Sequence, residues 1–160
     1  MLAPIVIFCF DRPNHLEKLL ISLKSNEEFK ESKIYIFQDG FKEDRNFDHW
    51  QKVTQVVENG LKGFNYELII NPTNLGCDPN VVQGINYVFE KHDKLIVLED
   101  DLEVSSKFLA YMNFGLNFFE NESNVGCINA FNLKTNISSD YFFIKGGNPW
   151  GWGTWKRAWS

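Results

Sequence analysis

Residues 94–108 read KLIVLEDDLEVSSKF, an apolar run that passes straight into Glu99, Asp100 and Asp101 and then into a helix start. Four apolar residues in succession, Leu95 to Leu98, suit a strand buried on both faces of a mostly parallel sheet, where strands need not alternate. Ligands in such sheets bind beyond the carboxyl ends of the strands, which is where the three acids fall. Adjacent carboxylates repel one another and lose hydration at a buried strand end, so they call for a compensating cation. A divalent metal would supply it, and an all-oxygen donor set favours Mg2+ or Mn2+, with the phosphates of a bound substrate completing the shell. The plainer alternative is a solvated acidic turn ahead of a helix starting near Ser105 or Ser106, since acids are stabilised at helix N-termini.

The chain on either side repeats one pattern. Pro4 to Phe10, PIVIFCF, is an apolar run of strand length that stops at Asp11, Arg12 and Pro13. Asn14 is then placed to cap a helix with Glu17 reaching back, and Leu16, Leu19, Leu20 and Leu23 share one helical face. A second strand, Lys33 to Phe37, ends in Gln38, Asp39 and Gly40. A helix from Asp48 to about Gly60 turns Trp50, Val53, Val56 and Val57 inward, and Tyr66 to Ile70 is a third strand. Asp78 before Pro79 starts another helix, with Val81, Val82, Ile85, Val88 and Phe89 on its buried side. After the acidic strand, Phe108, Leu109, Met112, Leu116 and Phe119 form a helical stripe. Val125 to Ala130 and Tyr141 to Ile144 are the last strand candidates, and Trp155 to Trp159 reads as the first turn of a helix. Four strand-then-helix repeats predict a three-layer α/β/α domain over residues 1–160, with a mainly parallel sheet and right-handed crossovers.

Composition narrows the class. A net charge of -5 argues against a nucleic-acid backbone as partner, which requires a positive field. Cys9, Cys77 and Cys127 are odd in number and lack the paired spacing of a zinc site, so they read as reduced thiols. The first apolar run is too short to span a bilayer and has no basic leader, which gives a cytoplasmic expectation with peripheral association at the inner face of a membrane left open. His15, His49 and His92 stand in polar surroundings and read as solvated.

Three strand ends therefore offer Asp11 with Arg12, Asp39, and the triplet Glu99, Asp100 and Asp101. The set suits a nucleotide diphosphate: a cation for the pyrophosphate, a guanidinium for phosphate oxygens, and a carboxylate to accept a hydrogen bond from base or ribose. Neither GxGxxG nor GxxxxGK[ST] is present, so phosphate would be held by metal rather than by a glycine-rich loop. Asp39 before Gly40 also fits a plain turn, Arg12 a surface charge, and the tryptophans core packing.

The segment VLEDDLEVSSKFL closely resembles the metal-binding segment of GT-A glycosyltransferases of the N-acetylglucosaminyltransferase I kind. The resemblance extends to FDRPNHLEKLL, to FQDG and to the GWG near the end, and WGWGTWKRAW is similar to a block in bacterial sugar transferases. It implies a metal-dependent transfer, with inversion, of a sugar from a UDP-linked donor to a hydroxyl acceptor such as a surface polysaccharide. It further implies Asp101 as direct ligand of Mn2+ or Mg2+ with Glu99 beside it, and Asp100 at the ribose or the metal-bound water. Asp39 would accept the N3 proton of uracil, Arg12 would contact base or phosphate, Asp11 is a weaker carry-over, and Gly151, Trp152 and Gly153 would border the sugar or acceptor pocket.

One element of the family is missing. The general base of an inverting transferase lies downstream of GWG in the resembled enzymes, and Glu120, Glu122 and Asp140 have no spacing that nominates one. The expectation is a chain truncated on its acceptor side, with the base beyond Ser160. A non-catalytic nucleotide-sugar binding module and a sugar nucleotidyltransferase are the rival readings. The latter would want a basic, glycine-rich loop where FDRPNH stands.

Overall fold

The computed structural model describes residues 1–131 and 141–159. Asp140 and Ser160, both named above in connection with the general base, lie outside the described residues. Strands β1 (Ile5–Cys9), β2 (Ile34–Gln38), β3 (Tyr66–Ile70) and β4 (Lys94–Glu99) pair in parallel, and β6 (Trp152–Trp155) and β5 (Cys127–Asn129) add antiparallel strands beyond β4. The sheet order is β3-β2-β1-β4-β6-β5. From β1 the chain steps outward to β2 and β3, then returns across the sheet to place β4 on the other side of β1. The strand order therefore reverses between β1 and β4, which makes the carboxyl ends of these two strands a switch point.

Helices α1 (Pro13–Lys24), α2 (Phe47–Gly60) and α4 (Phe108–Phe118) cover one face, and α3 (Cys77–Phe89) covers the other. A last helical turn, α5 (Lys156–Trp159), follows β6 as its sequence suggests. β1 shows why its run is apolar throughout: Ile5, Ile7 and Cys9 pack on the α1, α2 and α4 side while Val6 and Phe8 pack on α3. The leucine stripe of α1 is wholly buried, as are Val53 and Val57 of α2.

Several local expectations are corrected. α1 begins at Pro13, whose fixed φ suits the first helical position, so Asn14 does not cap it. α2 is capped by Asn46, which accepts from the His49 amide at 3.2 Å, and α3 begins at Cys77 with Asp78 inside its first turn. Val82 is exposed, lying off the stripe formed by Ile85, Val88 and Phe89. Tyr141 to Ile144 forms no strand and is exposed; the sheet's sixth strand is the WGTW segment, whose glycine disguises its alternation. His92 is half-buried, with its Nε2 3.0 Å from the Tyr35 hydroxyl, and burial followed by Lys91 and Lys33 lowers its pKa. His15 and His49 are exposed.

The stretch after the acidic triplet is tied down by one buried amide. α4 receives no cap from Lys107; instead Asn26 Oδ1, at the end of α1, accepts from the Leu109 amide at 2.9 Å. Asn26 Nδ2 donates to the carbonyls of Ser105 and Ser22 at 3.1 and 3.2 Å, and Ser22 Oγ accepts from the Val104 amide at 3.1 Å. Asn26→Ala orphans a buried helix-terminal amide and removes three hydrogen bonds. It is expected to cost about 2–4 kcal/mol, read as a lowered urea midpoint at unchanged m value.

Candidate functional site

Arg12 and the acidic triplet meet at the switch point. The backbone ladder carries β4 one residue further, the Asp100 amide donating to the Phe8 carbonyl at 3.0 Å, and this brings the Asp100 carboxylate under the β1 loop. Asp100 is 1% exposed. Its Oδ1 lies against Arg12 Nη2 without a well-oriented hydrogen bond, and its Oδ2 accepts weakly from the Phe10 amide at 3.4 Å. Arg12 Nη1 donates to Asp101 Oδ2 at 2.9 Å. One guanidinium from the end of β1 thus spans two carboxylates from the end of β4, and half of it faces solvent. The compensating cation that the sequence demanded is supplied in part by the chain itself.

That compensation is incomplete. Burial is the main influence raising the Asp100 carboxyl, opposed by the charge of the adjacent Arg12. Glu99 is raised by burial first and then by Asp101 and Asp100, with Asp78 of α3 adding to the repulsion and Arg12 opposing it. The Cys77 thiol, exposed in the first turn of α3, is raised by partial burial and then by Glu99 and Asp78. The α3 N-terminus therefore belongs to the same electrostatic neighbourhood.

Whether a cation fits can be judged from this donor set. Four carboxylates against one guanidinium leave excess negative charge carried on oxygen, which suits Mg2+ or Mn2+. Among the described residues no group of three or more His, Cys, Asp or Glu gathers into a ready-made cage. A cation here would rest on Asp101 and Glu99 and draw its remaining oxygens from a substrate, as Mg2+ commonly does with phosphates.

The other nominated residues are placed differently. Asp11 pairs with Arg45, 3.9 Å away, a residue that sequence reading passed over in the polar stretch KEDRN. Asp39 sits at the end of β2 but is 5% exposed, and its carboxylate accepts from the amides of Gly40, Leu75 and Gly76 and from Asn71 Nδ2. Gly153 is buried in β6, where a Cβ would stand 3.0 Å from both the Leu95 carbonyl oxygen and Met112 Cε. Its lack of a side chain serves the packing of α4 on the sheet. Trp152 packs with Trp159 toward the α3 face. Gly151, at φ +77, borders a cleft of about 1010 Å³ that begins at Leu102, next to Asp101, and is lined by Phe108, Tyr111, Phe131 and Trp150. This cleft thus lies beside the charged switch point rather than over it.

No family model matches the chain. Among solved structures, residues 1–349 of TarS from S. aureus, crystallised in complex with UDP, superpose with a TM-score of 0.57 at 13% identity. The chain shares that fold. The match covers 84% of this chain and 38% of the TarS fragment, and it agrees with the three-layer, mainly parallel GT-A architecture expected from the sequence. The galactosyltransferase LgtC, solved with donor and acceptor sugar analogues, aligns at a TM-score of only 0.38 and 17% identity, over 68% of this chain and 42% of its own. Among the described residues no helix is long and apolar enough to cross a membrane.

A carboxyl whose pKa is higher in the folded than in the unfolded chain binds its proton more tightly when folded. Its cost to stability is absent below the unfolded-state pKa, about 4.3 for Glu, and appears as pH rises through the folded-state value. In EDTA, Glu99→Gln is expected to unfold at a higher temperature than the parent at pH 7, with the gap closing at about pH 3.5. Melting curves at the two pH values check this, and an equal gap at both would reject it.

Proposed function

We propose that this domain binds a nucleotide-diphosphate sugar, UDP-linked, at the β1/β4 switch point and serves a glycosyltransferase that passes the sugar to a hydroxyl acceptor on a glycan or surface polysaccharide. The observation that carries this reading is the meeting of Arg12 with Asp100 and Asp101 where the strand order reverses. That position is where doubly wound sheets take nucleotides, and the charge pattern matches a diphosphate with its cation. The shared fold with TarS, solved with UDP, supports the same reading, as does the EDD resemblance.

In this assignment Arg12 meets phosphate oxygens or base, Asp101 and Glu99 hold Mn2+ or Mg2+, and Asp100 keeps Arg12 in place from beneath. The cation, when bound, offsets charge developing on the departing diphosphate. Arg12 adds to that offset from the β1 side, and its guanidinium is already oriented by two carboxylates, so little ordering remains to be done on binding. The aromatic cleft that starts at Leu102 lies next to this centre and is the place we assign to the acceptor, with Gly151 at its border and Trp150 and Phe131 offering ring faces.

Calorimetric titration of UDP and GDP, with Mn2+ or with EDTA, tests the assignment. UDP is expected to bind in Mn2+, and to lose about tenfold or more in affinity in EDTA and in Asp101→Ala and Arg12→Ala. GDP is expected to bind more weakly. Binding of neither nucleotide under any condition, or binding indifferent to both substitutions, would overturn it.

A further inference from the structure

We propose that Asp39 is a positioning residue of the nucleotide pocket: its carboxylate is the internal anion around which residues 71–76 fold, and that loop is the pocket's wall on the β2 side. The inference rests on the nucleotide reading above and adds to it a second element, the connection between β3 and α3.

The loop has little apolar substance of its own, reading NPTNLG. What orders it is the Asp39 carboxylate. Oδ1 accepts from the Gly40 amide at 2.9 Å, the Leu75 amide at 2.9 Å and Asn71 Nδ2 at 3.2 Å, while Oδ2 accepts from the Gly76 amide at 2.9 Å. Successive amides converging on one anion form the concavity that elsewhere binds phosphate. Gly76, at φ +83, permits the turn that aims them. Asn71 Nδ2 also donates to Asn80 Oδ1 at 2.9 Å, which ties the start of the loop to the buried side of α3.

A second set of contacts presses the loop onto the end of β2. Asn74 Nδ2 donates to the Gly40 carbonyl at 2.9 Å, and a Cβ at Gly40 would overlap the Thr73 backbone and stand 2.6 Å from the Asn74 nitrogen. The Asp39 amide in turn donates to the Cys9 carbonyl at 2.9 Å, locking β2's end to β1 beside the switch point. The loop then delivers Cys77 and Asp78 into the field of Glu99 and Arg12. Because the Leu75 and Gly76 amides are already taken by Asp39, the loop offers them to no phosphate. The diphosphate is left to Arg12 and the β4 acids, and the loop faces the nucleoside.

The test sets two variants that move the loop without touching Asp39 against one that alters Asp39 itself. Asn74→Ala removes its clamp on Gly40, Gly40→Ala displaces its backbone, and Asp39→Asn puts an NH2 group against an inward-pointing amide. UDP affinity in Mn2+ is measured for each, with amide hydrogen exchange on the free proteins. All three are expected to weaken UDP binding by about tenfold or more. Exchange at Leu75 and Gly76 should quicken in Asp39→Asn while β1 and β4 stay protected. If Asn74→Ala and Gly40→Ala bind UDP like the parent and Asp39→Asn alone fails, the carboxylate reads the nucleotide directly and the positioning role is overturned. Parent-like binding by all three also overturns it. Should Gly40→Ala not fold, Asn74→Ala decides. A parent protein that binds no UDP removes the nucleotide reading, and this inference with it.

Discussion

A carboxylate that is almost wholly buried at the end of a parallel strand has to be met by a positive charge, and Asp100 is met by Arg12. Much of the site follows from that requirement. β4 must lie beside β1 so that the residue after β4 meets the loop that follows β1, and the parallel register Ile5↔Ile96 through Phe8↔Glu99 provides this. Pro13 starts α1 at once, which fixes the backbone on the C-terminal side of Arg12. Asp101 then finds the second arm of the same guanidinium with no further rearrangement. The charged centre is a product of sheet topology before it is a product of any loop.

Around this centre the loops are held by buried amides and guanidinium groups rather than by apolar contact. Asn26 joins α1, the stretch after the acidic triplet, and α4. Asn113 accepts from the Ala3 amide at 2.8 Å and returns a bond to the Leu109 carbonyl, securing α4 to the start of β1. Arg157 closes the far end of α4, donating to the carbonyls of Phe119, Glu120 and Val125 while lying over the Trp155 ring. Asn26 and Arg157 satisfy backbone groups that a helix end leaves open, while Asn113 ties α4 to the chain ahead of β1. The apolar layers set which elements pack together, and these polar ties set where the connecting segments run.

The sequence revealed the parts of this fold that depend on periodicity. The four parallel strands and the four long helices all follow from apolar runs and stripes, because burial on one or both faces leaves a repeat in the residues themselves. It also revealed which strand ends carry acid and base. It concealed the partnerships. Nothing in FDRPNH shows that Arg12 spans two residues some 90 positions on, and nothing in FQDG shows that Asp39 will spend its oxygens on a loop beyond the next strand. Gly153 was open to a ligand reading because a glycine needed for close packing and one needed for a ligand look alike in one dimension. Tyr141 to Ile144 has the apolar content of a strand but pairs with no edge of the sheet, and the WGTW segment takes the place between β4 and β5.

The lack of a glycine-rich phosphate loop now has a structural counterpart. In folds that grip phosphate through backbone amides, the first helix after a strand presents free N–H groups to the ligand. Here the first helix begins with Arg12 and Pro13, and proline has no N–H to give, so the end of β1 contributes a side-chain cation in place of an amide cradle. At the other candidate position, the entrance to α3, amides do converge, but on the chain's own Asp39. The α3 route is thus closed by Asp39, and the α1 route has one backbone donor fewer. The anion-binding capacity of this edge is concentrated in one guanidinium and in whatever cation its acids attract. If the proposed nucleotide assignment holds, such a site discriminates by charge before shape, since Arg12 and the acids act at longer range than amides do, and salt weakens binding of a diphosphate more than of the uncharged nucleoside.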